Sequence, residues 1–132
     1  MYLTTFTGKL VDPANLRASE ISIVDIAHSL SNQCRFGGHC STFYSVAQHS
    51  IRVAEHLDHH QQLVGLLHDA TEAYLMDLPR PLKLILPGYA EQEKKVWEAI
   101  AEAFKINVQI PTEVIQADNM ALRAEWQELM NA

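Results

Sequence analysis

Apolar residues recur at the three- and four-residue intervals of an α-helix in five segments of this 132-residue chain. In the second segment, Val46, Val53 and Leu57 share one helical stripe. A helix with one apolar stripe has to bury it against other elements, so the pattern predicts an all-α fold. The first predicted helix is capped by Ser22, and the others run from Ser45 to Leu57, from about Gln62 to Tyr74, from about Tyr89 to Phe104 and from Pro111-Thr112 to about Met130.

The length of the chain suits one domain, and we expect a compact bundle of about five or six helices over residues 1–132. Residues 2–12 mix threonine with aromatic and aliphatic residues, which indicates a short extended or turn-rich arm before the bundle. Pro79 and Pro81 are expected to break the third helix, because proline removes a backbone donor.

The net charge and the hydropathy of the chain disfavour some classes of binding partner. The net charge is −6, which disfavours binding to polymeric nucleic acid. A small phosphorylated substrate remains compatible, because a few cations in one pocket can outweigh the global sign. No apolar run reaches the roughly 18 residues of a membrane span, and the first residues lack a secretory pattern. We therefore expect no membrane partner, a cytoplasmic location (the host cytoplasm for a phage protein) and reduced thiols at Cys34 and Cys40.

The predicted hairpin of the second and third helices brings two histidines level with each other. Residues equidistant from the turn lie at the same height in such a pair. The midpoint of His49 and His68 falls between Asp58 and His59, within the turn. Imidazole nitrogens and a neighbouring carboxylate, here Asp69, are good ligands for a divalent metal. The spacing therefore indicates a metal site between these two helices.

Two interpretations of the third helix remain open at this point. Glu72 follows His68 by four residues and shares its face, so it could reach water at such an ion and act as a general acid or base. On a helical wheel, however, His68, Asp69 and Glu72 lie away from the apolar stripe, which is typical of a solvated face. Spacing alone does not decide between a metal site and a solvated face.

The last predicted helix carries a carboxylate within its apolar stripe, which consists of Ile115, Ala117, Ala121, Leu122, Trp126 and Leu129. Asp118 lies in the middle of that stripe, where a carboxylate is costly unless it is paired or bound to metal. Glu125 is a rival for the same role, but its longer side chain reaches water more easily. Asp118 is therefore preferred, while Trp97 and Trp126 fit their stripes as core residues.

Together these residues resemble the H…HD…D signature of HD-domain metal-dependent phosphohydrolases. The likeness is nearest to the 5′-deoxynucleotidase branch and its small phage relatives that hydrolyse deoxynucleoside triphosphates. The matching residues are His49, His68-Asp69 and Asp118, supported by HDATE at 68–72 and DLPRPLK at 77–83, all within positions 35 to 118.

The resemblance implies one divalent ion (zinc, cobalt or manganese), with an additional ion such as magnesium entering with the substrate phosphate. It implies Glu72 and Arg35 as catalytic residues, and Asp77 as an acid near the deoxyribose. Phe36 stands where the deoxynucleotidases usually carry tryptophan. The expected ion ligands are His49, His68, Asp69 and Asp118, and the expected substrate contacts are Arg35, Phe36, Gly37, Gly38, His39, Asp77 and Lys83.

The implied function is hydrolysis of a deoxynucleotide, either a monophosphate or a triphosphate, by a metal-activated water. A triphosphohydrolase that releases triphosphate and a cyclic-nucleotide phosphodiesterase are alternatives. A third alternative is a silent helical module in which metal only holds the helices together. The deoxynucleotide is the expected partner, and a homo-oligomer is expected because short helical domains with an open apolar flank often associate.

Overall fold

A computed structural model describes residues 1–130, and it confirms the all-α prediction. The described chain has seven α-helices and one small hairpin. None of its helices combines the length and the apolar character that crossing a membrane requires. The helices are α1 (Ile23–Ser31), α2 (Val46–Glu55), α3 (Gln62–Leu67), α4 (Glu72–Leu75), α5 (Arg80–Ile85), α6 (Tyr89–Phe104) and α7 (Thr112–Leu129), and the strands are β1 (Leu3–Thr4) and β2 (Leu10–Val11).

Helix α2 lies between two clusters of buried apolar residues. The larger cluster contains Val46 together with residues of α1, α3, α4 and α6. The smaller one contains Val53 together with residues of α7. His49 lies one turn from each of these valines and is completely buried. Packing of α2 on both sides therefore fixes where His49 stands.

Side-chain caps begin α1 and α2 where the sequence predicts them, whereas α7 begins after Pro111 with no side-chain cap. The Ser22 hydroxyl accepts from the backbone amide of Asp25 at the start of α1. At the start of α2, Ser45 and Gln48 form a reciprocal capping box, with bonds of 3.0 and 2.7 Å. These caps satisfy amides that have no partner within the helix.

The third predicted helix is not continuous, which corrects the prediction for 62–74. Helix α3 ends at Leu67, and α4 begins at Glu72. From Ala70 into the first turn of α4, the backbone amides of Ala70, Glu72 and Ala73 donate to carbonyls three residues earlier in the chain. Such bonds wind the chain more tightly than an α-helix does. Side chains beyond Leu67 therefore depart from the even angular step that the helical wheel assumes.

Helix α5, which was not predicted, begins between the two prolines. Pro79 is extended and ends the preceding segment, as expected. Pro81 instead lies in the first turn of α5, where the missing backbone donor would have had no partner in the helix. The second proline therefore begins a helix rather than breaking one.

The extended arm expected over 2–12 is confirmed as the antiparallel pair β1 and β2, in which Leu3 faces Val11. Val11 is completely buried in the larger apolar cluster. The carboxylate of Asp25 accepts from the backbone amide and the hydroxyl of Thr7, at 2.8 and 2.9 Å. These contacts fasten the arm to α1.

The buried face of α7 differs from the predicted stripe. Ile115, Leu122 and Trp126, which the stripe placed inside, are 52, 39 and 49% exposed. The prediction of Trp126 as a core residue is therefore wrong, whereas Trp97 is buried as predicted. The buried residues of α7 are Val114, Ala117, Ala121 and Glu125.

Candidate metal centre

Four side chains from three parts of the chain converge at one place. His49 comes from α2, His68 and Asp69 follow α3, and Asp118 comes from α7. One potential ligand atom of each residue lies within 4.8 Å of the others. His49 Nε2 is 2.8 Å from Asp118 Oδ1. These are the four residues expected as ligands, and as a group they can hold a metal ion.

The two histidines stand level, as the hairpin argument predicts. Their ring centroids are 5.4 Å apart. Gly65 of α3 faces the backbone of Ala54 in α2, where an added Cβ atom would lie 3.4 Å from the Ala54 Cα atom and 2.5 Å from a methyl carbon of Leu57. A larger residue at position 65 would have to displace the Leu57 side chain or shift α3, and with it His68.

Glu125 anchors the imidazole of His49 from behind. Its carboxylate lies 2.8 and 3.0 Å from His49 Nδ1 and has no exposure to solvent. A carboxylate can only accept here, so Nδ1 carries the proton and Nε2 faces the other ligands. Tyr44 donates to Glu125 at 2.7 Å, and Arg35 forms an ion pair with it at 3.1 Å. Such support is typical of histidines that bind metal.

This arrangement corrects the argument about carboxylates on the last helix. Glu125 is the one that is completely buried and paired, whereas the Asp118 side chain is 39% exposed at the edge of a cleft. Asp118 still joins the potential ligand group, but burial in an apolar stripe is not the reason.

His68 is oriented in the same way as His49. Its Nδ1 lies 2.6 Å from the Gly65 carbonyl oxygen, to which it donates. Its Nε2 is buried and lacks a hydrogen-bond partner of good geometry, although Asp69 Oδ2 lies 3.1 Å away. Both imidazoles therefore present Nε2 toward two carboxylates, and that donor set fits a divalent transition metal.

The electrostatics of the site favour a bound cation. Burial on its own lowers the pKa of His68, but the charges of Asp69 and Asp118 outweigh it and raise that pKa to about 10. Burial likewise opposes ionisation of the two carboxyls, yet the histidines hold the pKa values of Asp69 and Asp118 below their usual range. The site thus stabilises positive charge, which a metal ion would supply.

Glu72 lies beside this group, at the start of α4, and is only 3% exposed. The solvated-face interpretation is therefore wrong for Glu72, and also for His68, whose side chain is 6% exposed. Burial, together with the charge of Asp69, raises the pKa of Glu72 to about 12. Its Oε1 atom has no hydrogen-bond partner in the described chain. A buried carboxyl oxygen without a partner is a candidate for contact with a ligand.

A cleft of about 860 Å³ opens from the acidic group. Asp69, Glu72 and Asp118 line one part of it. Of the expected substrate contacts, Arg35, Phe36, His39, Asp77 and Lys83 line this cleft. Four of the ten Lys and Arg residues also lie there, despite the net charge of −6: Arg35, Arg80, Lys83 and Arg123.

Gly37 and Gly38 do not belong to the described lining of the cleft. They shape the turn that carries Phe36 instead. Phe36, Gly37 and Gly38 have φ values of 59, 61 and 81°, so three successive residues adopt left-handed backbone. Glycine takes that conformation freely, but phenylalanine does so at a cost.

Two of the cationic residues among the expected substrate contacts already have carboxylate partners. Arg35 pairs with Glu125, as described above. Lys83 pairs with Glu93 of α6 at 3.2 Å. A substrate phosphate would have to share or replace these partners.

No family model matches this chain. YfdR, an uncharacterized protein of Escherichia coli K12, is 41% identical to it over 128 residues, which cover 97% of this chain and 72% of YfdR. This chain belongs to the YfdR family. An uncharacterized protein of Rhodobacter capsulatus is 29% identical over 137 residues, with 93% of this chain and 70% of that protein covered. Membership of the YfdR family assigns no activity, because both relatives are uncharacterized.

One residue near the site of this YfdR-family chain was not predicted at all. The Gln33 side chain donates to the Glu72 carbonyl oxygen at 2.8 Å and accepts from the Asp77 amide at 2.9 Å. It thereby spans the segment that carries both acidic residues. No local pattern marks Gln33, since its partners lie 39 and 44 residues further along the chain.

The α7 wall of the cleft was also missed. Trp126 was assigned to the core because its spacing matches the other apolar residues of the helix. Its exposure follows from the rotation of α7, which depends on packing against α2. The other unpredicted lining residues from this part of the chain are Leu122, Arg123, Gln127 and Met130.

Proposed function

We propose that this protein is a metal-dependent phosphohydrolase acting on deoxynucleotides, built on the HD-domain framework that its H…HD…D residues resemble. The observation that carries the proposal is the position of the unpartnered Glu72 carboxyl oxygen beside the four potential ligands. The cations that line the same cleft support it, because they suit a phosphorylated substrate. The deoxynucleotide class rests on the motif likeness.

His49, His68, Asp69 and Asp118 would hold the ion, which the proposal takes to be zinc, cobalt or manganese. When bound, a divalent ion would supply a Lewis acid that polarises a phosphoryl oxygen and lowers the pKa of water toward about 7. The proposal also includes an additional magnesium ion, which would enter with the substrate phosphate.

The reaction uses the chain's own groups for proton transfer and charge. Water attacks phosphorus, a new P–O bond forms, and the bond to the leaving oxygen breaks. A bound cation would offset the charge of Asp69 and so lower the pKa of Glu72, whose carboxylate would then accept the proton of the attacking water and return it to the leaving oxygen. Arg80 and Lys83 offset the negative charge on the phosphoryl oxygens, and Arg35 does so while it remains held by Glu125.

A hydrolysis panel tests the proposal directly. Purified protein, loaded with zinc, cobalt or manganese, is incubated with deoxynucleoside mono-, di- and triphosphates and with cyclic nucleotides, and the products are identified. Inorganic phosphate from monophosphates indicates a nucleotidase, and tripolyphosphate from triphosphates indicates a triphosphohydrolase. Activity confined to cyclic substrates would replace the proposal with a phosphodiesterase.

Glu72→Gln supplies the matched variant. We expect it to lower kcat by at least about 100-fold, the scale of general acid–base catalysis, while metal binding is retained. Glu102→Gln, on the exposed surface of α6, should leave kcat unchanged. If no substrate is hydrolysed under any loading, the silent metal-holding module becomes the better description.

The proposed homo-oligomer is checked separately by sedimentation equilibrium. Several apolar side chains of α5 are exposed, among them Leu84 at 80% and Ile85 at 71%. A monomer at all concentrations would remove this part of the proposal without affecting the hydrolase.

A further inference from the structure

Trp126 is a large aromatic side chain that is half exposed within the same cleft as the acidic group. Tryptophan is usually well buried in a folded domain. The other tryptophan follows that rule, because Trp97 is 8% exposed and its indole nitrogen donates to the Val108 carbonyl oxygen at 2.7 Å. Exposure at one particular place in a cleft therefore calls for an explanation.

The cleft changes character along α7. Asp118, Leu122 and Trp126 follow one another at four-residue intervals along one side of α7, and Met130 comes directly after the helix ends. With a rise of about 1.5 Å per residue, Trp126 lies roughly 12 Å along the axis from Asp118. All four residues line the cleft. Its wall is thus acidic beside the potential ligands and apolar and aromatic further along.

Phe36 completes the aromatic end of the cleft. Its ring meets Trp126 edge to face, with centroids 6.3 Å apart and planes at 70°. The loop that carries Phe36 is held by backbone bonds from Arg35 to Tyr44 and from Ser41 to the Leu129 carbonyl oxygen, each 2.8 Å. The aromatic pair is therefore in place before any ligand binds, which lowers the entropic cost of binding.

We infer that Trp126 provides a stacking subsite for the base of the substrate, with Phe36 at its edge and Leu122 and Met130 beside it. The inference rests on the proposed function, which puts the phosphate at the acidic and cationic end of the cleft. A nucleotide fits the two ends because it joins an anionic phosphate to a planar heteroaromatic ring. Every base offers such a face, so stacking tolerates all of them. Purines, with the larger rings, bind more tightly than pyrimidines.

Tryptophan fluorescence reports on this subsite. In a Trp97→Phe, Glu72→Gln chain, Trp126 is the sole indole and turnover is blocked. Deoxyadenosine and deoxyadenosine monophosphate should quench its emission in a saturable way, and deoxycytidine monophosphate should do so at higher concentration. Deoxyribose 5-phosphate and inorganic phosphate should leave it unchanged.

Equilibrium dialysis gives a second measurement that keeps Trp97. Trp126→Ala should weaken binding of deoxyadenosine monophosphate by about 10- to 100-fold and leave binding of deoxyribose 5-phosphate within about twofold. Trp126→Phe should restore most of the loss. Phe43→Ala, an exposed aromatic outside the described lining of the cleft, is the matched control.

Unchanged nucleotide binding in Trp126→Ala would overturn the inference. The inference would also be overturned if the emission of Trp126 shifted with protein concentration in the absence of nucleotide. Such a shift would mean that a second copy of the chain covers Trp126. If the proposed function is wrong but the stacking subsite exists, bases bind at Trp126 and no phosphoester is hydrolysed. Hydrolysis with the same KM in Trp126→Ala would conversely remove the subsite and keep the activity.

Discussion

Glu125 touches His49, Arg35 and Tyr44 at once, so a single carboxylate holds a potential metal ligand and a cation of the cleft in place. Burial opposes the ionisation of Glu125, but its bond to His49 and the charge of Arg35 keep its pKa below the usual range. It therefore remains an anion and an acceptor. The orientation of His49 Nε2 toward Asp118 depends on that acceptor.

Replacing this carboxylate should weaken metal binding without touching a ligand. Glu125→Gln keeps the shape but removes the charge, and we expect metal affinity to fall by about 10- to 100-fold, as for other supporting carboxylates. Competition with a chelator measures the change. Glu128→Gln, which breaks only the surface pair with Arg52, should have little effect. Equal losses in both variants would show that general destabilisation is responsible.

Residues with local sequence signals were predictable, and those defined by distant contacts were not. The level positions of His49 and His68 followed from the symmetry of a hairpin about its turn. Gln33 and Trp126 had no such signal, because their roles depend on how α4 and α7 pack against other elements. Apolar spacing did place Glu125 within the stripe of α7, but its bond to His49, 76 residues away, left no local signal.

The segment between α3 and α4 is the element that shapes the site. A continuous α-helix over 62–74 would have put His68, Asp69 and Glu72 on one arc that points away from the apolar stripe. The tighter winding after Leu67 instead places all three beside the cleft or the ligand group. Gln33 then holds the far side of this segment through its bonds to Glu72 and Asp77.

Gln33→Met should disturb this element while leaving the ligands in place. Methionine has a similar length but makes neither hydrogen bond, so the Asp77 amide should exchange with solvent faster. We expect kcat to fall by about tenfold or more, since small displacements of catalytic groups are costly, with metal affinity unchanged.

Gln62→Met is the matched control for that variant. Its side chain donates to the Ala54 carbonyl oxygen at 3.3 Å, away from the described lining of the cleft. It should alter neither kcat nor exchange at Asp77. Faster exchange at Asp77 without a change in kcat would mean that Gln33 stabilises the segment but does not position Glu72.

At the scale of the whole molecule, the ligand group joins α2, α7 and the segment after α3, so its charge state affects the stability of the entire bundle. Despite burial, Asp69 and Asp118 raise the pKa of His68 from 6.5 to about 10. This contribution to the free energy of unfolding is complete below about pH 6.5 and is lost as the pH rises toward 10. The lowered pKa values of the two carboxyls contribute above about pH 4 and are lost in acid. The raised pKa of Glu72 adds a loss of stability as the pH rises above 4.5. Metal-free protein should therefore be most stable at about pH 4 and lose stability as the pH rises further.

A divalent ion has to displace the proton from His68, so its affinity should rise about tenfold per pH unit between pH 6.5 and 9 for that one proton. Thermal unfolding with and without cobalt at pH 6, 7 and 8 measures the effect. The shift in Tm on adding cobalt should grow with pH, and an ion concentration of 100 times Kd should add about 2.7 kcal/mol to the free energy of unfolding. Asp118→Asn should reduce the shift at every pH, because it removes one charged ligand. A shift that is independent of pH would mean that the ion binds without releasing a proton, and hence away from His68.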